Sequence, residues 1–301
     1  MVILSAITTL FIAIQDPITQ KFAARIAGGY LSEKTGAEIK IGKLYISPDF
    51  AIHLEDFYVK DLNDNYLAKI GMFHARIVVQ DLLNGKIHLK RVDLKDTEAN
   101  IIKYEGENEF NFGFIVNAFR TDTVKEKSTE PIHLRIDRVN LKNIDFMLWN
   151  QDRADLQKTL DNRMDYAHLD LDDINLEAND ISIFGDSIHA DIKSLMANEL
   201  SGFEVKSFQG IANISPSGIL VDSLYIQTNN SDLHLDLHML YNDFEDISYF
   251  VDSVRFDARI RPTDILLSDI GVFAPVMYQM PDRLIFECLF TGPIEHFSVD
   301  S

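Results

Sequence analysis

The chain has 301 residues, of which 46% are apolar and 25% charged, a balance that fits one large globular domain or two small ones. Its net charge of −19 argues against nucleic acid as a partner, because the surface repels phosphate backbones. The same charge argues against electrostatic docking onto anionic lipid headgroups, but it does not exclude burial of acyl chains. The single cysteine, Cys288, lies among apolar neighbours in "LIFECLF", which predicts a packed thiol.

The first fifteen residues, "MVILSAITTLFIAIQ", carry no charge. As a helix they would reach about 22 Å, which is short of the roughly 30 Å hydrocarbon core of a bilayer. Three interpretations remain open: the end of a membrane anchor that began upstream, the core of a signal peptide, and a buried first element. We favour the first interpretation, in which residues 1–15 are a partial membrane anchor. Its predicted residues are Ile3, Leu4, Ile7, Leu10, Phe11, Ile12 and Ile14.

Residues 16–36 predict an amphipathic helix. Asp16 is a capping carboxylate, Pro17 suits the first helical position, and Gly36 is a plausible stop. An apolar ladder recurs every four residues, at Ile18, Phe22, Ile26 and Tyr30. Such a ladder requires a surface, so we expect it to pack against one end of the following sheet and to shield the terminal strand edge.

After residue 36 the apolar period changes to two, with a slip. The repeated frame has eight positions: apolar, any, apolar, polar, polar, apolar, any, apolar. Its copies start at irregular intervals of 30 to 50 residues, so the chain is not a fixed-period solenoid. The copies after "AEIKIGKLYIS" are "IHLEDFYV" from Ile52, "IHLKRVDL" from Ile87, "LRIDRVNL" from Leu134, "LDLDDINL" from Leu169, "ILVDSLYI" from Ile219 and a weaker one from Tyr249.

The slip has a physical interpretation. One extra residue would turn the second half of a strand onto the wrong face, and a β-bulge absorbs that residue and bends the strand. A tight turn at the polar pair is the alternative, but the pairs lack the Gly or Asn that two-residue turns prefer. We therefore predict bulges or bends within the strands, with both flanking apolar pairs on one face. Periodicity alone leaves open whether that face lines an open groove or a closed sandwich.

Few helices are expected after residue 36. Short ones are predicted in "VQDLLNG" (79–85) and "NFGFIVNAFR" (111–120), and a third in "DIKSLMANEL" (191–200), where extended structure is the alternative. Residues 121–131 and 150–165 are predicted loops. The same frame resumes after each loop, so one architecture is expected over residues 37–301.

The sequence contains no catalytic or cofactor constellation. There is no nucleophile elbow, Walker loop, zinc-protease motif or cysteine pair, and "GG" at 28–29 lies inside the predicted helix. His234 and His238 share one strand face with Asp236 between them. A metal site there is the weaker interpretation, and solvated strand positions are the stronger one. No catalytic residue, metal or cofactor is predicted, and we expect the chain not to be an enzyme.

The order of these parts resembles the amino-terminal region of the TamB and AsmA-like family, in particular its Bacteroidetes-type members. The resemblance rests on "DPITQKFAARIAGGYLSEKTGAEIKIGKLYIS", "FAIHLEDFYVKDLNDNYLAKIGMFHARIVV", "NELSGFEVKSFQG", "LYIQTNNSDLHLDLHMLY" and "LSDIGVFAPVM". It implies a mainly β fold: an elongated, curved antiparallel sheet folded like a taco into an apolar groove, with an N-terminal amphipathic helix. It also implies that the chain is a fragment of a longer one.

The resemblance further implies a single-pass protein of the bacterial inner membrane, with most of the chain in the periplasm. The expected function is a conduit that carries phospholipid acyl chains between the inner and outer membranes. The alternative is an assembly or scaffolding module for outer-membrane proteins that acts with a barrel partner, and an extracellular carbohydrate-binding sandwich is weaker still. The resemblance favours an open groove, and the inward strand positions that would line it are Leu54, Phe57, Leu89, Val92, Ile136, Val139, Leu171, Ile174, Val221 and Leu224.

Overall fold

The computed structural model describes residues 16–119, 133–153, 164–244, 254–272, 277, 279–293 and 298–300. The chain divides into two compact units. Unit 1 comprises residues 1–129, 140–155 and 166–173, and unit 2 comprises residues 130–139, 156–165 and 174–301.

Strands dominate the described residues. The helices are α1 (Pro17–Thr35), α2 (Val79–Leu83), α3 (Gly113–Phe119) and α4 (Leu267–Gly271). The strands are β1 (Ile39–Ile46), β2 (Ala51–Lys60), β3 (Tyr66–Ile77), β4 (Ile87–Lys103), β5 (His133–Asn150), β6 (His168–Phe184), β7 (Ser187–Glu199), β8 (Glu204–Ser215), β9 (Gly218–Gln227), β10 (Asp232–Leu240), β11 (Arg255–Leu266), β12 (Arg283–Pro293) and β13 (Ser298–Asp300).

Within each unit, neighbouring strands of the sheet follow chain order. In unit 1, β1 to β4 pair with antiparallel neighbours. In unit 2, β7 to β13 do the same. The predicted fold class, mainly β with an N-terminal helix and few short helices, is confirmed.

Helix α1 begins and ends where its caps predict. Asp16 Oδ2 accepts a hydrogen bond from the Thr19 amide at 2.9 Å, and Pro17 occupies the first helical position. Gly36 ends the helix in the left-handed conformation, at φ 74°, and its amide donates to the Ser32 carbonyl. The predicted helix over residues 16–36 is therefore confirmed.

The face on which α1 packs is not the predicted one. Its buried residues are Gln20, Ala24, Gly28 and Thr35. The expected packing ladder, Ile18, Phe22, Ile26 and Tyr30, is 57% to 78% exposed. The helix does cap the first strand, as predicted, but it does so with its small and polar face.

The close approach of α1 to β1 explains this face. A Cβ atom on Gly28 would lie 3.2 Å from the Ile39 carbonyl oxygen, so the helix backbone almost touches the strand edge. The Ser32 hydroxyl donates to that carbonyl at 3.1 Å and accepts from the Ile39 amide at 2.9 Å. Both edge groups of Ile39 are thus paired, which large apolar side chains on this face would prevent.

Two of the polar slip pairs, Asp222–Ser223 and Lys90–Arg91, are bulges, as predicted. In unit 2, β10 alternates regularly, and its apolar residues oppose the four apolar residues of the "ILVDSLYI" frame in β9. Two residues, Asp222 and Ser223, face the single residue Asp236, and the register shifts at this point. In unit 1, Leu89 and Val92 oppose Ile77 and Ala75, which share one face of β3. The apolar pairs on both sides of these two slips therefore lie on one face. The slip at Glu55–Asp56 of β2 shows no register shift against β1 or β3, so it is not a bulge.

Several slips place their second residue in the left-handed conformation. Asp56, Asp173 and Ser223 have φ values of 51°, 54° and 52°. Asp56 lies directly opposite Gly42 of β1 and Gly71 of β3, because the registered pairs on either side skip these residues together. The chain supplies glycine where the neighbouring backbone has to come close.

The other secondary-structure predictions have mixed outcomes. The short helices within 79–85 and 111–120 are confirmed as α2 and α3. The predicted helix at 191–200 is wrong, because these residues continue β7 and pair with β8 across two register shifts. Most of the two predicted loops lies outside the described residues. Helix α4 was not predicted.

None of the helices in the described part of the chain is both long and apolar enough to cross a membrane. Residues 1–15, which carry the predicted anchor residues, lie outside that part.

Candidate functional site

Unit 1 has an apolar sheet face built of cross-strand rows. Directly opposed residues of antiparallel strands point to the same face, so the register defines the rows. The rows are Ile46, Ile52, Ala75 and Val92; Leu44, Leu54, Phe73 and Leu94; and Ile41, Phe57 and Ile70. Their large side chains are half-buried, except for the exposed Ile46 at the edge. A second packed layer would bury such side chains almost completely.

The end of this face next to α1 is covered. Ile39, Val59 and Leu67 form a buried cluster there. Leu31 of α1 and the residues Phe114 and Ile115 of α3 pack against it. Helix α3 is held in place by the loop before it, where the Asn111 side-chain amide donates to the buried carboxylate of Asp61 at 3.0 Å. The two helices therefore close one end of the unit 1 face and leave the following rows half-buried.

Unit 2 repeats this arrangement with longer rows. They are Leu195, Phe208, Ile226 and Leu233; Leu224, Leu235, Ile260 and Cys288; Ala190, Ala212, Val221, Leu237, Ala258 and Phe290; and Ile188, Ile214, Ile219, Met239 and Phe256. Leu224, Leu235 and Ala258 are buried, and most of the other large members are half-buried. Cys288 occupies a half-buried position within a row, next to Ile260.

The ten predicted groove residues fall into both units. Leu54, Phe57, Leu89, Val92 and Leu171 belong to unit 1, and Ile136, Val139, Ile174, Val221 and Leu224 belong to unit 2. Val139 and Leu224 are 7% and 8% exposed, and the other eight are half-buried. Six of them lie in the registered rows or beside them: Leu54, Phe57, Leu89, Val92, Val221 and Leu224.

A cavity of about 400 Å³ lies at one end of the unit 2 face. It continues the row of Phe208, Ile226 and Leu233 toward the turns that follow β7 and β9. Its apolar lining is Phe203, Val205, Phe208, Ile226, Leu233, Ile265 and Ile270. Its volume is within the range of roughly 300–1,000 Å³ that is typical of small-molecule sites. The polar lining residues, Thr228, Ser231 and Asp269, bond to one another.

Helix α4 forms one side of the cavity and is held there by Asp269. The Thr228 hydroxyl and the Ser231 hydroxyl donate to its Oδ2, and the Asn230 side-chain amide donates to its Oδ1 at 3.0 Å. Burial alone would raise the pKa of Asp269, but these hydrogen bonds outweigh it and hold the pKa below its ordinary value. The carboxylate therefore stays charged and fastens α4 to the turn between β9 and β10.

Sequence reasoning missed this cavity for identifiable reasons. Phe203 and Phe208 lie outside the slip frames, and α4 has five residues, too few for a periodic pattern. The available signal was the acidic residue in "LSDIG" together with the hydroxyl-rich "TNNS" turn, which can only be connected once the strand order is known.

The outward faces carry polar ladders. Tyr45, His53 and His74 stack in succession across β1 to β3, with ring centroids 4.3 Å and 4.5 Å apart, and His74 Nδ1 lies 2.9 Å from Asp93. Burial, together with the charge of His74, lowers the pKa of His53. This side of the sheet contacts water, so the two faces differ sharply in polarity.

The pair His234 and His238 is also accounted for by its neighbours. His234 stacks on Tyr225 at 4.5 Å, and His238 Nε2 lies 3.0 Å from Asp222 Oδ1. Asp236 between them accepts hydrogen bonds from the Ser223 amide and from Arg261, which lower its pKa. No group of side chains in the described part of the chain has the geometry of a metal site.

No protein-family model matches the chain, and no curated protein matches its sequence.

Proposed function

We propose that the apolar faces of the two units bind the acyl chains of phospholipid, and that the chain is a membrane-anchored segment of a lipid conduit of the TamB and AsmA-like type. The observation that carries this proposal is the combination of half-buried apolar rows in both units with an apolar cavity of about 400 Å³ in unit 2.

Energetics favour an apolar occupant. Each Å² of apolar surface removed from water contributes about 25 cal/mol, whether a side chain or a lipid tail covers it. Contiguous apolar faces are therefore costly in water and mark binding surfaces. Moving an acyl chain along such a face requires no catalyst, only rows of similar affinity, which agrees with the absence of a catalytic motif in the sequence.

The proposed location is the bacterial inner membrane, with most of the chain in the periplasm. It is supported by the uncharged residues 1–15 directly before α1 and by the resemblance of the sequence. The alternative, an assembly module that binds partner strands at a sheet edge, is weakened at β1, because Ser32 already occupies the edge groups of Ile39.

Photocrosslinking tests the proposal with matched neighbours. A photoreactive residue replaces Phe208 in the cavity or the adjacent, outward and exposed Gln209; in unit 1 it replaces Leu89 or the adjacent, exposed Lys90. After expression in a bacterial host, we expect phospholipid adducts at Phe208 and Leu89 and at least about tenfold fewer at the two outward positions, because lipid tails seek the apolar face. Equal labelling of inward and outward positions, or none at either, would reject the conduit.

A further inference from the structure

Helix α1 has an apolar face that the described part of the chain leaves uncovered. Ile18, Phe22, Ile26 and Tyr30 are 78%, 63%, 57% and 59% exposed. The opposite face is fixed to β1 by the Ser32 hydrogen bonds and by the contact at Gly28. The helix therefore cannot rotate the ladder into the protein without losing both.

The charge of α1 is opposite to that of the whole chain. The helix contains Lys21, Arg25 and Lys34 against one acidic residue, Glu33, so its side chains sum to +2 in a chain of −19. Lys21 and Arg25 are exposed and precede Phe22 and Ile26 by one residue each, so they form a basic row beside the ladder. Lys34 continues the ladder spacing beyond Tyr30, and its Nζ lies 4.4 Å from the centre of the Phe119 ring.

We infer that α1 lies in the interface of an anionic phospholipid bilayer, with the ladder among the acyl-chain ends and the basic row at the phosphates. Exposed apolar residues flanked by lysine and arginine on one helix face are typical of interfacial helices. The uncharged residues 1–15 join α1 at Asp16, so a membrane that held them would meet the helix at its first turn. The inference rests on the proposed membrane location, but it does not depend on acyl chains in the cavity.

The same contacts give α1 a second role. Its inner face pairs with β1 and its Leu31 covers the end of the unit 1 rows. A bilayer on the outer face would therefore place that end of the sheet at the membrane surface.

Fluorescence of a site-specific probe tests this surface in the full chain. In a Cys288→Ser background, Ile26→Cys and Phe22→Cys carry an environment-sensitive dye, and Leu83→Cys on α2 is the control, since Leu83 is 82% exposed. With vesicles of phosphatidylcholine and phosphatidylglycerol, we expect a blue shift and quenching by headgroup-level nitroxide lipids at positions 22 and 26 but not at 83. Lys21→Glu with Arg25→Glu should lower the partition coefficient at least about tenfold, because each basic residue near an anionic surface contributes to binding.

Three results would overturn the inference. The dye at position 26 could be shielded without vesicles, which would mean that residues 1–15 cover the ladder. Its shielding could rise with protein concentration, which would mean a second copy. It could also respond no more than the dye at position 83. Lipid adducts at Phe208 together with an unshielded position 26 would reject this inference and leave the proposed function standing. Shielding at position 26 by vesicles without lipid adducts at Phe208 would support this inference and reject the proposed function.

Discussion

Single residues in the left-handed conformation keep the strand faces consistent. Asp56, Asp173 and Ser223 each follow a polar neighbour in a slip pair and each has φ near 50°. This conformation costs most residues about 1–2 kcal/mol, and Asp and Asn pay less because their short polar side chains bond locally. The sequence predicted where the slips lie. It could not predict which slips use this conformation, because Arg91 and Arg138 are also the second residues of slip pairs but have negative φ.

Asp56 offers a direct test of this conformation. Asp56→Val should lower the free energy of unfolding by about 1–3 kcal/mol, because a β-branched residue is strained at positive φ. Asp56→Asn should leave it nearly unchanged, since Asn tolerates this region. Urea unfolding of both variants measures the difference, and equal midpoints for the two would contradict the assignment of φ 51° at this position.

At the scale of elements, the sequence predicted the limits of α1 but not its orientation. Apolar periodicity identifies the face with the highest hydrophobicity, and here that face is exposed. Docking on a strand edge instead requires small residues and a hydroxyl, here Ala24, Gly28 and Ser32. Such residues do not stand out in a pattern of hydrophobicity. The strand β7 was misread for a related reason, since its register shifts break the period of two and imitate helical spacing.

Substitutions at the two adjacent glycines of α1 distinguish the effect of docking on β1 from the effect of helix propensity on stability. A Cβ on Gly28 would meet the β1 backbone at 3.2 Å, whereas one on Gly29 would meet nothing within 4 Å. Gly28→Val should destabilise the protein by about 1–3 kcal/mol, because the helix has to move away from Ile39. Gly29→Val should be neutral or slightly stabilising, because glycine in a helix interior costs about 1 kcal/mol relative to alanine. Thermal unfolding followed by circular dichroism compares the two, and similar losses would show that Gly28 does not support docking.

At the scale of the whole molecule, alternation along the strands separates polar faces from apolar rows in a chain whose net charge is −19. That separation was visible in the sequence, and so were the rows that contain Leu54, Phe57, Val92, Val221 and Leu224. The cavity was not, because its lining combines four strands, β8 to β11, with two turns and the short helix α4, over residues 203–270. An apolar period of two predicts which residues share a strand face. It does not predict which elements pack at the end of that face, because that depends on tertiary contacts such as those of Asp269.

An apolar face that binds lipid should make stability depend on lipid. A ligand that binds only the folded state adds RT ln(1 + [L]/Kd), or about 2.7 kcal/mol at a hundredfold excess over Kd. We therefore expect the delipidated chain to unfold at a lower temperature than the same chain after phospholipid is added back.

Phe208→Glu should remove most of that gain in unfolding temperature, because a carboxylate in the apolar cavity costs several kcal/mol to desolvate beside an acyl chain. The adjacent Gln209→Glu, on the exposed face, introduces the same side chain and should retain the gain. The measurement is the shift in unfolding temperature on lipid addition for each variant, so any loss of intrinsic stability cancels. If both variants shift as much as the unmodified chain, the lipid contacts lie elsewhere and the cavity is not an acyl-chain site.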